Sequence, residues 1–167
     1  IMSLKPDTAV RQAIHRIKKD VDDKAKDRRW NDDVKRMHEA LKGEGIDDPI
    51  MEVFSPTRVN GMASRLGLIP GMSLDLTGND PEDGRPWDFN DPKKRNKVLD
   101  MVLGKKALLV IGSPMCKAFS RLQRWNFKRM HPDKVERMKK EGLRHLEFCM
   151  MIYQLQLDNG MYFLHEH

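Results

Sequence analysis

Ala107-Leu-Leu-Val-Ile111, closed by Gly112 and Pro114, constrains this chain more than any other segment. Five consecutive apolar residues are far short of the roughly 20 that a bilayer span needs, and no other run approaches that length. They fit a strand buried on both faces, as in the middle of a parallel sheet. The theme repeats from Pro49 onwards. Ile50–Phe54 is a short apolar run ended by Ser55-Pro56, residues 58–66 suit a helix closed by Gly67 and Pro70, and Met72–Leu76 is a further strand candidate. Residues 91–103 place Val98, Met101 and Val102 on one helical face. Residues 141–157 offer Leu143, Leu146, Phe148, Met151, Ile152, Leu155 and Leu157 for burial, and Asn159-Gly160 turns the chain into a last strand at Met161–Leu164. Strands alternating with helices of this length predict an α/β domain, an open and mostly parallel sheet with flanking helices. In such sheets ligands bind beyond the carboxyl ends of the strands.

Residues 1–48 read differently. Val10, Ile14, Ile17 and Val21 recur at helical spacing as a thin stripe on a charged rod. Asn31-Asp32-Asp33 offers caps for a second helix with Val34, Met37 and Leu41 on one side, ended by Gly43 and Gly45. Stripes this narrow dock on a surface but hold no core. The expectation is an α-helical N-terminal extension at 1–48, available to a protein partner, followed by one domain at 49–167.

Composition narrows the partners. A 39% hydrophobic and 34% charged chain fits a protein with a highly charged surface, and no membrane partner is expected. Cys116 and Cys149 are too few for a disulfide scaffold or a zinc finger, and Ile1-Met2-Ser3-Leu4 lacks the apolar stretch of a signal peptide. These features predict a reduced, intracellular setting. An initial Ile suggests an internal fragment or an added remnant. The twelve methionines are scattered, which predicts core filler. The net charge is +6, yet residues 91–145 alone hold 16 Lys and Arg against 5 Asp and Glu, a local +11. A polyanion is the matching partner, with DNA the expected nucleic acid.

The segment Leu108-Leu-Val-Ile-Gly-Ser-Pro-Met-Cys-Lys-Ala-Phe-Ser120 resembles the catalytic loop of the DNA cytosine-C5 methyltransferases. In that family of class I S-adenosylmethionine-dependent enzymes, an apolar strand leads into Gly-x-Pro-Pro-Cys-x-x-Phe-Ser. The chemistry explains the pattern. Cytosine carbon is a poor nucleophile until a thiolate adds to the neighbouring ring carbon, which needs an accessible cysteine on a rigid turn near positive charge. The resemblance implies Cys116 as that nucleophile, with Lys117 and Arg121 close behind. Tyr162-Phe-Leu-His-Glu-His167 resembles the family's later strand ending in Glu-Asn-Val, where the glutamate holds the edge of a flipped base. Glu166 matches that glutamate, and His167 replaces the asparagine. His165 and His167 alternate to one strand face but are only two ligands, so no metal site is expected.

The same resemblance implies a Rossmann-like sheet and an S-adenosyl-L-methionine site. Glu52-Val-Phe-Ser-Pro-Thr57 falls where the family has Asp-x-Phe-x-Gly-x-Gly, with Phe54 matching the phenylalanine beside the cofactor. Ser55-Pro56-Thr57-Arg58 fills the turn that glycines occupy in the family. Asp75 is placed like the acidic residue that bonds the ribose, and Asp88, in Trp87-Asp88-Phe89, like the aspartate that meets the adenine amine. Gly112 and Pro114 join Phe54, Ser55, Asp75 and Asp88 as the implied cofactor-site set. The family's loop after the cysteine closes over DNA, which assigns phosphate contacts to Lys117, Arg121, Arg124, Lys128 and Arg129, with Trp125, Phe127 and Phe119 interleaved. The family's later strands and target-recognition region have no counterpart before His167, so the domain is expected to be incomplete and inactive as it stands.

Three other readings remain. Ser113-Pro114-Met115-Cys116 is also similar to the Asp/Asn/Ser-Pro-Pro-aromatic loop of methyltransferases acting on exocyclic amines (N4 or N6), which need no cysteine. A non-catalytic domain that binds nucleic acid or assembles a complex fits the basic stretch. His131-Pro132-Asp133-Lys134, after Phe127-Lys-Arg-Met130, is similar to the loop of J-domain co-chaperones.

Overall fold

The computed structural model describes residues 15–19, 23, 28–46, 48–66, 68–104 and 107–166. Val10, Ile14 and Val21 of the first N-terminal stripe, together with Gly67 and His167, lie outside the described residues. Residues 15–19 are helical, with Ile17 exposed. Helix α1 spans Arg28–Gly43, and Gly45 follows it at φ 79°. The sheet domain runs β1 (Ile50–Val53), α2 (Val59–Ala63), a 3-10 turn (Ser64–Leu66), β2 (Ser73–Leu74) and α3 (Pro92–Leu103). It continues with β3 (Leu109–Gly112), a 3-10 turn (Cys116–Ala118), α4 (Arg121–Phe127), α5 (Pro132–Asp158) and β4 (Tyr162–His165). No described helix is long and apolar enough to cross a membrane.

The four strands form one all-parallel sheet in the order β2-β1-β3-β4. Ile50 lies opposite Leu109 and Val53 opposite Gly112, while Leu109 and Gly112 lie opposite Tyr162 and His165. All four residues of β1 are buried, as are three of the four in β3, so the middle of the sheet is covered on both faces. Met51, Val53, Leu74 and Val110 meet Val98 and Val102 of α3 and Phe148, Cys149, Ile152 and Tyr153 of α5, with Trp87 and Phe89 packed among them. Strand addition reverses direction between β1 and β3. In open α/β sheets that reversal leaves a crevice at the carboxyl ends of the two strands.

Local chemistry sets the element boundaries. Asp91 caps α3 by accepting from the Lys93 N–H at 2.8 Å, with Pro92 in the first turn where its missing N–H costs nothing. Strand β2 stops at Leu74 because Asp75–Gly78 forms a turn, with the Gly78 N–H donating to Asp75 O. Gly112 ends β3 against α5. A Cβ there would collide with the Tyr153 hydroxyl, which donates to Gly112 O at 3.3 Å.

Several boundaries depart from the periodicity. Helix α5 is 27 residues long and starts at Pro132, about nine residues before its apolar stripe begins. His131 caps it by accepting from Asp133 N, so the segment similar to the co-chaperone loop is here a helix start. The buried side of α5 is Gly142, His145, Phe148, Cys149, Ile152, Tyr153 and Gln156, which leaves Leu143, Met151 and Leu157 exposed. Helix α1 begins ahead of Asn31-Asp32-Asp33 rather than at it. The filler reading of methionine holds for Met51, Met72 and Met101, but Met37, Met62, Met115, Met150 and Met151 are exposed. Strand β4 is a sheet edge on which Tyr162, Phe163 and Leu164 are all exposed.

Candidate functional site

The carboxyl end of β1 carries an acceptor where a phosphate-binding turn would carry donors. Glu52 is buried, and its carboxylate receives the backbone N–H groups of Arg58, Val59 and Asn60 at 2.9–3.3 Å. The hydroxyl of Ser73 donates to it at 2.9 Å, and Ser55 Oγ lies 3.3 Å away. Burial by itself would raise the Glu52 pKa, but these donors outweigh burial and hold it below the ordinary value of 4.5. The turn after β1 is therefore closed on the chain's own carboxylate. Phe54 bridges strand and turn at φ 62°, a left-handed conformation that costs a non-glycine residue about 1–3 kcal/mol. Its ring packs against Phe89, His145 and Phe148 with centroids 4.7, 4.8 and 6.1 Å away.

Of the cavities that open beyond the strand ends, two hold most of the site residues drawn from the sequence. The larger, about 400 Å³, is lined by Arg58, Ser113, Pro114, Met115, Cys116, Lys117, Ser120, Gln123 and Glu166. The register of β3 and β4 brings its polar groups together. The Glu166 N–H donates to Gly112 O at 2.9 Å, continuing the ladder and placing its carboxylate beside Ser113. Ser113 Oγ donates to Glu166 at 3.0 Å, and Arg58 Nη2 reaches the same carboxylate at 2.9 Å. Both members of this ion pair are more than half exposed, so it orients the groups more than it stabilises the fold. Cys116 opens the 3-10 turn and is exposed at the cavity wall. Cys149, by contrast, lies in the core with its thiol pushed up to about 12 by burial, which leaves it unreactive.

The smaller cavity, about 90 Å³, is lined by Phe54, Asp75, Leu76, Trp87, Asp88, Phe89, Asn90, Met115, Glu141 and His145. Met115 borders both cavities. Asp88 accepts from the Asn90 N–H at 2.9 Å, and Asp75 from the Thr77 hydroxyl at 3.0 Å. His145 is buried with Nε2 3.2 Å from Asn90 Oδ1, and desolvation lowers its pKa below 6.5.

Of the implied cofactor residues only Phe54, Asp75 and Asp88 converge on the smaller cavity, and neither its own volume nor the turn after β1 fits S-adenosyl-L-methionine. Nucleoside-sized ligands occupy cavities of roughly 300 Å³ or more, against about 90 Å³ here, with a further cavity of about 240 Å³ adjoining through Met115, Glu141 and His145. Pro56 offers the turn no N–H, and the N–H groups of Arg58, Val59 and Asn60 already serve Glu52.

Among the remaining residues drawn from the sequence, Pro114 is buried and lines the larger cavity, as does Lys117. Ser55 and Gly112 border neither cavity: Ser55 Oγ donates to Pro56 O and accepts from Arg58 Nε, and Gly112 packs on Tyr153. Arg121, Arg124 and Lys128 are exposed on and just after α4, and Arg129 lines a groove between α4 and α5. His165 shares a 2.8 Å hydrogen bond with the Tyr153 hydroxyl, and no group of three or more metal-ligating side chains occurs among the described residues. Sequence reasoning missed Arg58, His145 and Gln123. For Arg58 a signal existed, because a cation stood where the resembled family has glycine. Compared against known protein families, curated proteins and solved structures, the chain matches none.

Proposed function

We propose that this chain is a nucleic-acid methyltransferase-like domain of the cytosine-C5 type, on a Rossmann-like sheet, that takes a nucleobase into the larger cavity. The observation that carries the reading is the gathering of Cys116, Ser113, Glu166 and Arg58 around one cavity at the ends of β3 and β4. A nucleobase presents an exocyclic amine and ring nitrogens in one plane, and a carboxylate fixed by a hydroxyl and a guanidinium is a suitable partner for that edge. The Cys116 thiolate adds to C6 of cytosine, forming the S–C6 bond and moving the C5=C6 electron pair onto C5. A solvent proton is taken up at C5, and loss of the original C5 proton with cleavage of the S–C6 bond restores the ring. No methyl-transfer step accompanies this exchange, because the N–H groups after β1 serve Glu52 rather than a cofactor.

Photocrosslinking an oligonucleotide that carries 5-iodocytosine tests base binding. Adducts are expected on peptides containing Ser113–Lys117 or Glu166, with Arg58→Met and Glu166→Gln each lowering the yield about tenfold, as expected for losing a charged hydrogen bond. Adducts elsewhere, or yields that both substitutions leave unchanged, overturn the reading. A second reading, an exocyclic-amine type of site, is favoured by the Ser113–Glu166 hydrogen bond, which holds an amine acceptor without covalent chemistry. Release of tritium from 5-tritiated cytosine separates the two: the C5 type exchanges it and loses that exchange in Cys116→Ser, and the amine type never exchanges it.

A further inference from the structure

Beside the base cavity lies a second concavity, whose Lys117 and Arg129 are among the phosphate contacts that the methyltransferase resemblance implies. It runs between α4 and the first turns of α5, encloses about 440 Å³, and is lined by Lys117, Gln123, Asn126, Arg129 and Lys134 with Met130 and Met138. Lys117 and Gln123 also line the base cavity, so the two form one continuous depression. Three of its walls are cationic and none is acidic. Within the described residues Lys117, Arg129 and Lys134 make no ion pair, while Lys140 on α5 is neutralised by Glu136 at 2.8 Å. Three unneutralised cations converging on a concave wall repel one another, and an anion relieves that repulsion.

We propose that this groove is the track for the sugar-phosphate backbone of a single-stranded polynucleotide whose base enters the adjoining cavity. The inference rests on the base-binding reading and extends it by naming the strand state and the path. Cations set beside amides and methionine side chains match a chain that alternates phosphate with sugar and base. A duplex offers the groove only phosphates, and it must also break pairing and stacking before a base leaves, at a few kcal/mol. The other side of α4 carries Arg121, Trp125 and Lys128 at helical spacing, turned from the groove that Gln123, Asn126 and Met130 line. Lys35 and Lys42 on α1, which line no part of the groove, provide a control of equal charge.

Fluorescence anisotropy with a labelled single strand and its duplex, over a series of salt concentrations, tests the track in the 167-residue chain. The single strand is expected to bind more tightly than the duplex. Arg129→Gln with Lys134→Gln is expected to make the slope of log K against log[salt] shallower by about 1.4, that is 0.7 per lost phosphate contact. Lys35→Gln with Lys42→Gln is expected to leave that slope nearly unchanged, with far-UV circular dichroism reporting that both variants fold. Equal losses in the two variants, or a duplex that binds as tightly as the strand, overturn the track. The two proposals fail separately: a normal salt effect with crosslinks indifferent to Arg58 and Glu166 leaves the track and removes the base site, and the reverse result removes the track alone.

Discussion

Glu52 satisfies with one side chain the N–H groups at the start of α2 that a ligand would otherwise meet. Glu52→Gln keeps the shape but turns an amide N–H₂ towards these donors, so a loss of about 1–3 kcal/mol is expected in urea unfolding. At Gly112 the constraint is steric. Gly112→Ala drives a methyl group into the Tyr153 hydroxyl and costs about 1–3 kcal/mol, and adding Tyr153→Phe should recover part of it. No recovery in the double variant would remove the Tyr153 explanation. The placement of Cys116 and Glu166 just beyond strand ends was legible because each follows a strand that the apolar pattern marks clearly. Arg58 was not legible as a partner of Glu166, because that contact spans 108 residues and exists only through strand register.

At the level of elements, the loop between β2 and α3 is fastened by buried charge. Asp80 is almost fully buried and meets Lys94 at 2.7 Å and Lys97 at 2.6 Å. Both ammonium groups lie over the Trp87 ring, 5.0 and 5.3 Å from its centroid. Burial alone would raise the Asp80 pKa, but the two lysines hold it far below 3.8. Removing Lys94 leaves the buried Asp80 with Lys97 as its remaining cation, so Lys94→Met is expected to cost about 1–3 kcal/mol and Lys94→Met with Asp80→Leu less. A double variant no better than the single one would argue against a buried pair. None of this was visible from spacing, since the pairing of a loop aspartate with lysines of the following helix has no period. The early start of α5 escaped for a related reason: its first three turns are charged and carry no apolar stripe. Strand β4 shows Tyr162, Phe163 and Leu164 to solvent at an open sheet edge, which favours self-association. Leu164→Lys should lower the self-association of the 167-residue chain measured by sedimentation.

For the whole molecule, alternation of short apolar runs with helical stretches was enough to predict a parallel α/β sheet, because burial on both faces erases the period-two signal and leaves bare apolar runs. Strand order was beyond it, as was the size of the smaller cavity, which depends on how Phe54, Trp87 and His145 pack. Stability should fall with acid in two stages. His145 has a lowered pKa, so the unfolded chain protonates first; its contribution is complete above about 6.5 and is lost as the pH falls below that value. Glu52 and Asp80 contribute fully above their unfolded values of 4.5 and 3.8 and lose this as the pH falls through their lower folded values. Urea midpoints at about pH 7, 5.5 and 3 should decline in that order, and a flat series would contradict both the histidine and the carboxylates. Trp87 is 2% exposed and Trp125 78%, one inside the charged clasp and the other on the outer side of α4. With Trp30 replaced by Phe, the chain carries two optical reporters of opposite accessibility. Acrylamide quenching at Trp125 follows events on the basic helices, and the emission maximum of Trp87 follows loss of the fold, so binding and unfolding are read in one cuvette without an added dye.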